Sequence, residues 1–154
     1  MTQKGLIKKI IDATGMEHCN PNWTPATQLA LGIDPNGEPM VENWNYRSIV
    51  GMLLYLSTNT RCDISFAVSQ VARFSQNPKK SHATAIKTIV RYLHKTCDKG
   101  TIVAPKKSLQ VDCYVDADFG GLYRRDPDTE PSAVRSRSGY IIFLGNCPLI
   151  WQSQ

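Results

Sequence analysis

The chain has 154 residues, 42% hydrophobic and 20% charged, with a formal net charge of +5 and a mean hydropathy of −0.29. That balance suits one or two small globular units and excludes a disordered acidic or low-complexity chain. No apolar run reaches the ~18 residues of a membrane-spanning helix, and the charges scattered through "MTQKGLIKKIIDATG" leave no uninterrupted core for a secretory signal. An intracellular setting, cytoplasm or nucleus, without a membrane partner is expected. The five cysteines (Cys19, Cys62, Cys97, Cys113 and Cys147) form no CxxC pair, so they read as free thiols rather than a disulfide framework. His18 and Cys19 lack the spaced second pair that a zinc site needs.

Charge is placed unevenly. Residues 1–108 carry 14 Lys and Arg against 7 Asp and Glu, whereas residues 109–154 carry 4 against 6. The basic excess is densest between Arg73 and Lys107, where Asp98 is the only acid. A basic module followed by an acidic strand is the asymmetry expected where a polyanion is held by one part and handled by another.

In chain order, Leu6, Ile7, Ile10 and Ile11 recur at helical spacing between Thr2 and Thr14, and Gly15 is a stop signal. Residues 19–43 hold four prolines and two glycines around the turn "DPNGEP" and read as a long irregular connector or edge segment that wraps a partly missing or mobile surface. From Trp44, the stripe Tyr46, Ile49, Val50, Leu53 and Leu54 predicts a helix to about Ser57. Asp63 is a candidate cap for a second helix bearing Ile64, Ala67, Val68 and Val71. "SHATAIKTIVRYLHKT" repeats the pattern with Ile86, Ile89, Val90 and Leu93 inward and Ser81 as candidate cap. Three helices on short turns predict a small bundle.

Beyond Gly100 the period falls to two. "TIVA" predicts a short strand, followed by strands over 109–117, 138–145 and 148–153, with "GNCP" as a hairpin link. Residues 119–137 read as a polar loop. The fold class is therefore α+β: a small helical bundle followed by an incomplete antiparallel sheet of about three strands. The units divide as 1–43, an irregular segment with one helix; 44–100, the bundle; and 101–154, the sheet.

Two patterns bear on chemistry. On the third bundle helix Lys87, Arg91 and Lys95 recur every four residues, with Lys79 and Lys80 just before it. Such a stripe can track a phosphate backbone, and a solvated helix face is the competing reading. In "LQVDCYVDADFGG" the carboxylates Asp112, Asp116 and Asp118 share one face of a strand, with same-face neighbours ~6.6 Å apart at the Cα. Carboxylates so spaced can help hold Mg²⁺ for phosphoryl transfer, but a two-ion site takes three or four of them. An exposed strand end is the alternative. Asp126, Asp128 and Glu130 read as a solvated loop run. His82 and His94 read as surface residues, and Trp23, Trp44 and Trp151 as packing anchors rather than base-stacking platforms.

Taken in order, "YRSIVGMLLYLSTNTRCDISFAVSQVARFSQNPKKSHATAIKTIVRYLHKT", "KGTIV", "VDCYVDADFGG" and "SRSGYIIFLGNCPLIWQSQ" closely resemble the copia-type retrotransposon polyprotein at the junction of its reverse transcriptase and ribonuclease H domain. "MTQKGLIKKIIDATGM" looks like the segment after the polymerase palm. Cys62 departs from the family, which usually reads Pro there. The resemblance implies a thumb-like or connection-like bundle over 44–100 and the first strands of a ribonuclease H-like sheet over 101–154. It implies Asp116 as catalytic carboxylate and Mg²⁺ ligand, with Asp118 as a second candidate ligand. It also implies Lys79, Lys80, Lys87, Arg91 and Lys95 as contacts to an RNA–DNA hybrid or duplex. The family's palm carries a paired aspartate, and no Asp-Asp dipeptide occurs here. Its ribonuclease H site draws further carboxylates from later elements. The expectation is a truncated reverse transcriptase and ribonuclease H segment whose partners are the rest of the polyprotein and nucleic acid. Alone it is expected to be inactive, to bind Mg²⁺ unstably, and to be marginally stable or self-associating. A non-enzymatic nucleic-acid-binding module is the alternative.

Overall fold

The computed structural model describes residues 1–27, 31–104, 110–118 and 136–153. Most of the 119–137 loop, including Asp126, Asp128 and Glu130, lies outside the described residues, as do Lys106 and Lys107. Among the described residues the order is α1 (Lys4–Thr14), α2 (Tyr46–Asn59), a 3-10 turn (Cys62–Ile64), α3 (Ser65–Ala72), α4 (Lys80–Lys95), β1 (Val111–Asp118), β2 (Arg137–Leu144) and β3 (Cys147–Ser153). The architecture is α+β, four helices and an open three-stranded antiparallel sheet in the order β1-β2-β3. "TIVA" forms no strand; Thr101 instead turns inward and its hydroxyl donates to the Thr60 carbonyl at 2.9 Å.

The helices follow their apolar period. Ile7, Ile10, Ile11, Ile49, Val50, Leu53, Ile64, Val68, Ile86, Ile89, Val90 and Leu93 belong to one buried cluster. Burying each such side chain contributes roughly 1.5–3 kcal/mol. Leu54 leaves the expected stripe and is exposed, while Leu56 takes the inward position. Gly15 ends α1 at φ 64°, its N–H bonding the Asp12 carbonyl while the Met16 N–H bonds that of Ile11. That double closure satisfies two orphan carbonyls and favours glycine at the left-handed position.

The expected caps are corrected. Asn45 caps α2 by accepting the Ser48 N–H at 2.9 Å. Asp63 lies in the 3-10 turn, and the residue flanking α3 is Ile64, with no side-chain cap bond. Ser81 is inside α4, where its hydroxyl donates to Asp34 at 2.6 Å. At that helix start His82 Nδ1 accepts the Lys79 N–H at 2.9 Å.

The described part of the 19–43 connector wraps this chain's own α4. Gly32, Asp34, Glu38 and Glu42 bond His82, Ser81, Lys80 and Lys87 in turn. In the sheet, β2 turns into β3 through Gly145 and Asn146, both at positive φ (54° and 68°), the backbone of a tight hairpin whose twist matches its strands. Trp151 docks the sheet on the bundle, its indole N–H donating to the Ser57 carbonyl at 2.6 Å. No described helix is long and apolar enough to cross a membrane.

Candidate nucleic-acid interface and carboxylate strand

The basic face of α4 is real but heavily engaged. Lys80 meets Glu38 at 2.6 Å and Lys87 meets Glu42 at 2.7 Å. The Lys80 hydrogen bond and charge hold the Glu38 carboxyl below its ordinary range, and the Lys80 amine is raised in turn by the same partner. Lys95 places its ammonium 3.3 Å from the centroid of the Trp23 ring. Arg91 is exposed, and no side-chain partner holds it among the described residues. Lys79 makes no ion pair among them. Of the five candidate contacts, two are paired to connector acids, one stacks on an indole, and Arg91 and Lys79 are the least committed cations.

The carboxylate row lies on β1, an edge strand. Asp116 stands opposite Gly139, which stands opposite Ser153, so these three share a face. That face looks toward the bundle: Ser153 lies 3.5 Å from Ser69 of α3, and Trp151 reaches Ser57 from the same side. Asp116 thus lines an open cleft of about 350 Å³ with Cys62, Asp63, Phe66, Tyr114 and Trp151. Both Asp116 and Asp118 are exposed. Asp112 is partly used, accepting the Gln110 amide at 2.9 Å. Hard oxygen donors of this kind suit Mg²⁺. Among the described residues, however, no group of three metal-ligating side chains converges. Among the described residues the donors fit one loosely held ion and do not fit a two-ion site.

Two buried polar centres escaped the sequence reading. Arg61, only 2% exposed, donates from Nε and Nη2 to Asp63 at 2.9 and 2.8 Å, and from Nη1 and Nη2 to the Thr96 carbonyl and hydroxyl at 3.0 and 2.7 Å. Tyr92 donates to the same Asp63 carboxylate at 2.7 Å. Burial alone would pull the guanidinium's pKa down, and the Asp63 hydrogen bonds and charge outweigh it, so the pKa rises. Burial would raise that of Asp63, but the Arg61 and Tyr92 hydrogen bonds leave it lowered. The group ties the α2–α3 junction to the end of α4. His82, expected at the surface, is fully buried. It stacks on Phe74 at 3.9 Å between centroids and pairs Nε2 with the Gly32 carbonyl at 2.9 Å. Trp23 corrects the anchor expectation in the other direction, being 79% exposed.

Fold and sites define an α+β protein with a basic helix and an acidic edge strand. Over its whole length the chain is 33% identical to the retrovirus-related Pol polyprotein from transposon RE1 of Arabidopsis thaliana, and 31% identical to that from transposon TNT 1-94 of Nicotiana tabacum. It spans about a tenth of the length of these polyproteins, 10% and 11%. Over 74% of the chain it is 32% identical to secreted RxLR effector protein 161 of Plasmopara viticola, covering 75% of that protein. No family model matches, and no solved structure gives a significant match. Along its whole length the chain is thus similar to a stretch of the retrovirus-related Pol polyproteins of transposons, which supports a retrotransposon origin.

Proposed function

We propose that this chain is the stretch of a copia-type Pol polyprotein where a reverse transcriptase meets a ribonuclease H-like sheet, and that it binds an RNA–DNA hybrid or duplex through α4. The observation that carries the reading is the Lys87, Arg91 and Lys95 row on a rigid 16-residue helix, with Arg91 exposed and unpaired among the described residues. A cationic row on one helix face contacts successive phosphates without reading sequence. Asp116 is one ribonuclease H carboxylate. When bound there, Mg²⁺ would activate water and stabilise charge on a phosphate. The chain's own part is to present Asp116 on a fixed strand facing the cleft. Asp118, two residues on, is the second donor.

By itself the chain binds hybrid without cleaving it, because the two β1 donors fall short of the three or four carboxylates that hold paired ions. The test is incubation of an end-labelled RNA–DNA hybrid with the chain and Mg²⁺, beside Asp116→Asn. Retained hybrid with intact RNA in both is expected. Mg²⁺-dependent cleavage that disappears in the variant would overturn the non-cleaving part of the reading.

A further inference from the structure

Trp23 sits on the loop that Asn22 organises. The Asn22 side chain accepts the Trp23 N–H at 3.0 Å and donates to the Thr24 carbonyl at 3.0 Å, and the Asn22 N–H reaches the Arg91 carbonyl at 3.5 Å. The indole is therefore carried next to the basic helix on a braced turn. One ring face is taken by the Lys95 ammonium, yet the residue stays 79% exposed, which leaves the other face open to solvent. A solvated Trp of this size wastes a large apolar surface unless something stacks on it. Here Lys95 lies on the ring, and the neighbouring Asn22 is tied through the backbone to Arg91, whose side chain is exposed and unpaired among the described residues.

An aromatic face beside phosphate-binding cations is the arrangement that holds single-stranded nucleic acid. Every base has a π-face, so the contact tolerates sequence, while the cations follow the backbone. The Lys95 ammonium on the far side of the ring does not block a base on the near side. We propose that Trp23 is a base-stacking platform for an unpaired nucleotide, with Arg91 and Lys95 holding the flanking phosphates. This deepens the nucleic-acid reading of α4 and rests on it.

The test uses a fluorescein-labelled oligothymidylate titrated with the full chain, Trp23→Ala, Trp23→Phe and Arg91→Ala across a salt series. Loss of one stacked base should weaken binding about 5- to 150-fold in Trp23→Ala, with the slope of log affinity against log salt unchanged because no charge is removed. Trp23→Phe should restore most of the affinity. Arg91→Ala should instead flatten the slope, by about 0.7 for a single strand. Equal affinity of Trp23→Ala and the unaltered chain, with binding present, would overturn the platform and leave the α4 reading standing. Absence of binding to both oligothymidylate and hybrid at low salt would overturn both.

Discussion

Arg61 and Asp63, two residues apart, close a paired contact at 2.9 and 2.8 Å, with the guanidinium almost wholly buried and the carboxylate about a third exposed. The pair caps a stack of backbone and side-chain bonds to Thr96 and Tyr92. Removing one partner strands the other's charge, which costs far more than the pair contributes when intact. Asp63→Ala should therefore destabilise the chain by about 3 kcal/mol, toward the lower end for a broken buried pair because the carboxylate edge is solvated. Chemical denaturation of the two proteins checks it; a loss under about 0.5 kcal/mol would place Asp63 with ordinary surface residues.

The same carboxylate gives an acid limb to stability. Its folded pKa is lowered from 3.8, so its contribution is complete above that value and is lost as pH falls through the folded pKa. His82 acts earlier. Burial, with Lys79 and Arg73 nearby, lowers its pKa from 6.5 against the opposing effects of Gly32 and Asp34. The unfolded chain then takes a proton before the folded one does. Stability is full above about 6.5 and declines as pH falls below it, until the folded pKa is reached. Thermal melts between pH 7.5 and 5 should show this decline, and His82→Gln, which keeps an acceptor and a donor but does not titrate, should flatten it.

The acids of the connector should restrain nucleic-acid binding. Glu38 and Glu42 sit on Lys80 and Lys87, and phosphates must compete with them. Glu38→Gln with Glu42→Gln should tighten hybrid binding and steepen the salt slope by about 0.9 for each freed lysine. Neutralising Asp12 and Glu17, exposed acids without ion pairs among the described residues, controls for net charge and should leave the slope unchanged.

Among the described residues both edges of the sheet are open, and the face away from the bundle carries Val111, Val115 (77% exposed) and Ile150 (54% exposed). Unpaired edges beside an apolar face favour self-association. Sedimentation velocity should show concentration-dependent association, reduced by Val115→Lys. A clean monomer at high concentration would contradict it.

Much of this architecture was legible from periodicity. The buried positions of α4 recur at helical spacing, and the three longer strand runs and the Gly145–Asn146 turn lie within a residue or two of where alternation puts them, whereas "TIVA" forms no strand. Asp63 and Ser81 had the residue types of caps, but tertiary partners claimed their side chains. Arg61 and His82 could not be read locally. Their partners lie 35 and 50 residues away, and nothing in "TRCD" or "KSHAT" marks a polar side chain for burial. The alternation in β1 identified the aspartate face, but only Trp151 and Ser153 show that it turns toward the bundle. Trp23 departs from the anchor expectation because a tryptophan's size argues for burial until its loop is placed.

The most direct measurement is anisotropy of a labelled RNA–DNA hybrid titrated with the chain and with Arg91→Ala at stepped salt. We expect log affinity to fall linearly with log salt, and the slope to shrink by about 0.9 in the variant. Binding that ignores salt, or no binding at low salt, would contradict a phosphate-tracking role for α4.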